Sequence, residues 1–166
     1  DRFLVRARQE QEKAKIYINY LANTQALLEE AYPFREDELN ARWQANYDLI
    51  YAQLIAYQAR VYEYGAALET FIRNPKQVPQ MMPPNRRLIR WDLRNRLKLS
   101  AEEVSRPYIN RASELFEKVI ELHPGTPWAE RASEEIKRGF GLEVMPVYRA
   151  PPRPTPNAPR IPIPKL

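Results

Sequence analysis

Between Leu39 and Phe71 apolar residues recur at steps of four and three: Leu39, Trp43, Tyr47, Ile50, Leu54, Tyr57, Val61, Tyr64, Leu68 and Phe71. A helix lays those ten side chains along one stripe, and a stripe of that length needs a facing helix to cover it. The spacing therefore predicts one uninterrupted rod over 36–73. The segment before it offers a cover: Phe3, Ala7, Ala14, Tyr17, Leu21 and Leu28 fall on one stripe of a helix predicted over 2–31, about 45 Å long at 1.5 Å per residue. Tyr32, Pro33 and Phe34 interrupt that helix, because proline lacks a donor and pushes the residue before it out of the helical region. Glu36, Asp37 and Glu38 then place negative charge where a new helix start favours it. With so short a turn, the two rods are expected to fold back antiparallel. Tyr51, Ile55, Tyr62, Ala66 and Ile72 broaden the apolar face of the second rod, which predicts that later helices pack there too.

The next stretch changes character. Pro75, Pro79, Pro83 and Pro84 around Met81 and Met82 exclude regular helix and central strand, and predict a linker or a strap over apolar surface. Over 86–99 a helical wheel places Ile89, Leu93 and Leu97 on one face, beside a stripe of Arg87, Arg90, Trp91, Arg94 and Lys98, and a short helix is expected. Ser100 and Glu103 have the spacing of a capping box. They open a predicted helix over 101–122 with Val104, Tyr108, Ala112, Leu115, Phe116, Val119 and Ile120 inward and a kink or break at Pro107. Thr126 as cap and Pro127 at the first helical position start a last helix that ends at Gly139 or Gly141. Leu142 to Tyr148 is expected to be extended. Seven prolines in the last sixteen residues predict an extended, solvated tail.

Charge follows the same divisions. Residues 1–73 hold nine Lys/Arg against eleven Asp/Glu, 74–99 seven against one, 100–141 six against eight, and 142–166 four against one. The positive charge thus sits in the connector and the tail, between and after two mildly acidic helical blocks. With no cysteine there is neither a disulfide framework nor a thiolate metal site. No apolar run is long enough to span a bilayer, and Asp1 to Arg8 resembles neither a signal peptide nor an initiator sequence, so the chain is expected to be a piece of something longer and to work in a bacterial cytoplasm or envelope.

Ala112, Phe116, Val119 and Pro124, followed by Pro127, Trp128 and Ala129, resemble the second half of a tetratricopeptide repeat: a small residue, an aromatic four on, a small residue three further and a proline five further. The resemblance covers 108–138 and is similar to the divergent repeats of bacterial envelope scaffold proteins. It implies a helix pair that stacks and binds protein segments. The order of long tyrosine-rich helices, basic Pro-Asn-Arg-Arg connector, repeat-like pair and prolines is also similar to the carboxy-terminal region of large bacterial proteins bearing a von Willebrand factor A domain. The metal-ion adhesion motif of that domain does not occur in this sequence.

Catalysis finds little material. General acid-base or nucleophilic work needs titratable groups converging on a pocket, and the chain has one histidine, no cysteine and no glycine-rich phosphate cradle. His123, in a turn between helices, reads as a solvated or helix-terminus histidine. Glu29 with Glu30, Glu36 to Glu38, and Glu134 with Glu135 read as helix ends and solvated faces in preference to metal ligands. No catalytic, cofactor-binding or metal-binding residue is assigned. The expected fold is all-α: a long antiparallel hairpin (1–73), a basic linker with a short helix (74–99), a repeat-like helix pair (100–141) and a proline-rich tail (142–166). The expected function is a protein-protein interaction or scaffolding module, with Trp43, Tyr57, Tyr64, Ala112, Phe116, Val119, Pro124 and Trp128 as its core. Its competitor is a nucleic-acid or anionic-surface binder that uses Arg86, Arg87, Arg90, Trp91, Arg94, Arg96 and Lys98, set against the bland reading that these arginines neutralise the acidic helices. The tail is either a proline ligand or a spacer.

Overall fold

The computed structural model describes residues 2–74 and 86–149. The side chains of Arg2, Phe3 and Arg87 lie outside that description, and so do the expected strap around Met81 and Met82 and the proline-rich tail after Arg149. The elements are α1 (Arg2–Glu30), α2 (Tyr32–Asp37), α3 (Ala41–Arg73), β1 (Arg87–Arg96), α4 (Glu102–Leu122), α5 (Pro127–Arg138) and β2 (Gly141–Arg149). The chain is mostly helical, and β1 and β2 add a two-stranded antiparallel sheet that an all-α reading lacks.

Helix α1 packs through a narrow seam. Leu4, Ala7, Gln11, Ala14, Ile18, Leu21, Gln25 and Leu28, again at steps of three and four, are the buried or half-buried positions, and Tyr17 stands outside them, 54% exposed. Two polar contacts across the seam fix its register: Gln11 donates to Glu69 at 2.8 Å and Gln58 donates to Gln25 at 2.7 Å. The Tyr-Pro-Phe sequence does not simply break the helix. Pro33 sits in the first turn of α2, where a missing N–H costs nothing. Glu36 and Asp37 end α2, and Asn40 caps α3 by accepting from the Arg42 N–H at 3.0 Å. The rod therefore begins at Ala41, five residues later than the charge pattern suggested.

Helix α3 is covered on two faces. Against α4 it presents Ala45, Leu49, Ala52, Ala56, Ala59, Glu63 and Ala67, all buried, and Leu49, Ala52, Ile55, Ala56 and Ala59 form one cluster with Ile109, Ala112, Phe116, Val119, Ala132 and Phe140. Small side chains let two helix backbones approach closely, and the aromatic ring of Phe116 fills the space between them. The core thus differs from the stripe of large residues read from the sequence. Trp43 is 59% and Tyr57 44% exposed, Tyr64 is half-buried, Pro124 is exposed, and Trp128 packs at the edge of the cluster. Large rings flank the seam because alanines, not tyrosines, occupy its centre.

Glu63 is fully buried at that interface. Its carboxylate accepts from the Ser100 N–H at 2.6 Å, the Ala101 N–H at 3.0 Å and the Ser105 hydroxyl at 2.7 Å. A side chain from α3 therefore serves the free donors at the start of α4 and opposes its dipole. The expected Ser100–Glu103 capping box is not formed, since Ala101 is the cap residue and makes no side-chain cap bond. Helix α4 also runs unbroken through Pro107. Only the Glu103 carbonyl loses its partner there, and Glu103 is exposed to water.

Helices α4 and α5 form a tight pair. Gly125 takes a positive φ of 72° in their turn, and Thr126 caps α5 by accepting from the Ala129 N–H at 3.3 Å. The predicted short helix over 86–99 is instead strand β1, paired with β2 from Arg87↔Arg149 to Arg96↔Gly141 with a bulge between Leu88 and Arg90. Where α5 leads into β2 the backbone passes close to the end of β1: a Cβ on Gly141 would lie 2.2 Å from the Lys98 carbonyl oxygen, so only glycine fits. Behind this junction Arg60 of α3 reaches Glu135 of α5 at 2.7 Å, and Glu135 also meets Arg131 at 2.8 Å. The Arg60 guanidinium lies 5.4 Å from the centre of the Phe140 ring. These contacts are charge attractions without aligned hydrogen bonds, and they join α3, α5 and the start of β2.

Candidate binding cleft and basic strand

The largest concavity among the described residues lies at the closed end of the hairpin, with a volume of about 660 Å³. Glu29 ends its α1 wall, Tyr32 and Arg35 come from α2, Tyr47, Asp48 and Tyr51 from the first turns of α3, and Arg111, Leu115, Lys118, Glu121 and Leu122 from α4. The tyrosines form a ladder. Tyr47 and Tyr51, four apart on α3, stack with ring centres 6.3 Å apart, and Tyr32 tilts against Tyr47 at 6.2 Å. Two phenols are tied down, Tyr47 donating to the Leu28 carbonyl and Tyr51 to the Glu29 carboxylate at 2.7 Å. Burial, and then each phenol's anionic and phenolic neighbours, pushes both above the ordinary tyrosine range, so they remain neutral donors.

Behind the ladder three elements meet in one ion-pair group. Arg35 donates to Asp48 through Nε at 2.8 Å and Nη2 at 2.6 Å, the two-pronged geometry that suits a carboxylate. His123, at the end of α4, places Nε2 2.9 Å from the same carboxylate and is buried, which corrects its reading as a solvated histidine. Burial alone would raise the Asp48 carboxyl, but hydrogen bonds from Arg35 and His123 and their charge outweigh it and hold Asp48 below the usual carboxylate range. A depressed carboxylate stabilises the fold above its unfolded pKa, and that contribution fades as pH falls through the folded value. Asp48→Asn is expected to lose on the order of 1–3 kcal/mol at neutral pH and to show a shallower loss of stability below about pH 4 than the parent chain. Urea titrations at pH 7 and pH 3 check both.

Three cations face the cleft. Arg35 is bound to Asp48, and Arg111 has only a loose contact with Glu114 at 3.7 Å. Lys118 has no ion-pair partner among the described residues. Glu29 and Glu121 supply the opposite charge.

The residues named from the sequence as partner-binding lie elsewhere. Arg86 precedes β1, Arg90, Trp91, Arg94 and Arg96 are on it, and Lys98 follows it. Phe71 receives the edge of the Trp91 ring at 4.8 Å, about 36 Å along α3 from the cleft residue Tyr47. Strand alternation splits the expected stripe: Arg90, Asp92 and Arg94 share one face, and Trp91 and Leu93 the other. The arginines that find partners find them within the sheet, Arg90 on Asp92 at 2.9 Å and Arg96 near Glu143 at 3.7 Å, and not on the acidic helices. Arg94 and Lys98 are exposed with no ion-pair partner among the described residues. The cleft escaped the sequence reading because its walls come from four segments. Its one local signal was Tyr47 and Tyr51 beside Asp48.

Comparisons with protein families, curated proteins and solved structures returned no match. Among the described residues no group of histidine and carboxylate side chains is arranged to hold a metal ion, and no helix is long and apolar enough to cross a membrane.

Proposed function

We propose that this chain is a non-enzymatic binding module whose cleft holds a short segment of a partner protein, one that presents an aromatic or aliphatic side chain flanked by carboxylates. The observation that carries this reading is the pairing of a three-tyrosine ladder with the uncommitted ammonium of Lys118 in a single cleft. Tyrosines offer large contact area at little entropic cost, and a volume of about 660 Å³ lies in the range that pockets for small ligands and peptide side chains occupy. Asp48 and His123, the groups best suited to proton transfer, face each other and Arg35, which favours a structural role for them. The α4–α5 pair, with Ala112, Phe116 and Val119 buried and Pro127 opening α5, supports the repeat-like reading, and helix repeats of that kind use concave faces to take up protein segments.

The test uses the full chain and labelled pentapeptides with a central tryptophan or leucine between glutamates, with lysine-flanked versions as controls. The acidic peptides are expected to bind saturably and to shift the resonances of Tyr51 and Lys118. Lys118→Glu is expected to weaken them about tenfold, a loss of about 1.4 kcal/mol. Equal binding of acidic and basic peptides, or shifts that miss the cleft, overturns the reading. The second reading, an anionic-polymer surface on β1, draws support from the unpaired Arg94 and Lys98. It requires oligonucleotide binding that falls steeply with salt and disappears when Arg90 and Arg94 become serine.

A further inference from the structure

Strand β1 has β2 on one side only. Helix α3 packs against β2, and no other described element lies along β1, so its outer edge is open among the described residues. An open edge presents unpaired N–H and C=O groups to any extended chain that approaches. The two outer edges of this sheet are not equivalent. Pro146 of β2 pairs with Trp91 and has no N–H, so its place in the ladder is one whose nitrogen faces away from β1, and the outer edge of β2 lacks a donor at its middle. By the alternation of antiparallel ladders, the Trp91–Pro146 pair is then of the non-bonded kind, and so are Leu93–Val144 and Asn95–Leu142. The backbone groups of Trp91, Leu93 and Asn95 therefore point to the free side of β1.

The side chains on that strand select among occupants. Strand β1 carries four arginines and one aspartate, so two copies paired edge to edge would bring six net positive charges together. Arg90 and Arg94 stand exposed on one face, while Leu93, 46% exposed, stands on the other. An added strand meets both faces, because its own side chains alternate.

We infer that the free edge of β1 is a strand-addition site for an extended partner segment with alternating acidic and apolar residues, its carboxylates over Arg90 and Arg94 and its apolar side chains beside Leu93. Main-chain hydrogen bonds supply the attachment and charge supplies the choice of partner. The site is independent of the cleft, which lies at the other end of α3.

The experiment uses the full chain and a capped eight-residue peptide alternating valine and glutamate. Three further probes accompany it: the same peptide N-methylated at alternate residues, a valine–lysine version and a single-stranded oligonucleotide. The valine–glutamate peptide is expected to bind and to slow hydrogen exchange at the amides of Trp91, Leu93 and Asn95. The N-methylated peptide, which keeps every charge but cannot form the ladder, is expected to bind at least about tenfold more weakly. Arg90→Glu with Arg94→Glu is expected to reverse the preference toward the lysine peptide, and Lys118→Glu to leave the affinity unchanged. Equal binding of the N-methylated peptide, absence of amide protection at those three residues, oligonucleotide binding tighter than peptide binding, or self-association that buries β1 each overturns the inference.

Discussion

Replacement of Glu63 by alanine is expected to destabilise the chain by about 3–5 kcal/mol, a fall in melting temperature on the order of 10 °C for a chain of this size. The carboxylate is fully buried and accepts three hydrogen bonds from the segment that opens α4. Alanine leaves two backbone donors and a serine hydroxyl facing a void, and each unsatisfied donor costs about 1–3 kcal/mol. It also removes the negative charge that opposes the positive end of the α4 dipole. Glu63→Gln separates these effects. The amide keeps one acceptor and about the same volume but turns its NH2 toward other donors, so it is expected to fall between alanine and the parent chain. Urea denaturation followed by circular dichroism measures all three. An alanine variant within about 1 kcal/mol of the parent would show that solvent, and not Glu63, satisfies the start of α4.

Glu63 also shows where the sequence is legible and where it is not. The long helices follow from their periodicity alone, and so does the α4–α5 pair, whose Thr126 and Pro127 mark a helix start by local chemistry. Strand β1 does not follow from local chemistry. Arg90, Leu93, Arg94 and Leu97 repeat at helical spacing, and leucine and arginine both favour helices. What makes the segment a strand is its partner some fifty residues away, with Val144 opposite Leu93 and Pro146 opposite Trp91. Pairing between distant segments leaves only a faint mark on either one, and here the mark was the extended reading of 142–148. The same holds for Glu63. An acidic residue on an otherwise small and apolar face of α3 signals a buried partner, but the identity of that partner, the backbone of Ser100 and Ala101, is set by tertiary structure. The cleft is harder still, since Arg35, Asp48 and His123 become neighbours only after α2, α3 and the end of α4 converge.

Phe116→Ala is expected to cost about 3–5 kcal/mol, whereas Trp43→Ala is expected to stay within about 1 kcal/mol. By size and periodicity alone the order would be reversed, since Trp43 opens the stripe of large residues along α3 and brings the larger side chain. Burial decides otherwise: Phe116 is wholly enclosed and Trp43 is 59% exposed. The surroundings of Phe116 sharpen the contrast. Its buried neighbours include Ala52, Ala56, Ala59, Ala112 and Ala132, which have no rotamers with which to refill a vacated space. The cavity left by the ring persists, and the cost lies toward the upper part of that range. The same alanines define the distance between α3 and α4, so no small shift of one side chain offsets the loss. Urea denaturation of the two variants, with unchanged slopes, gives the comparison directly. Equal losses would place the core on the tyrosine-rich stripe after all and turn the alanine face toward water.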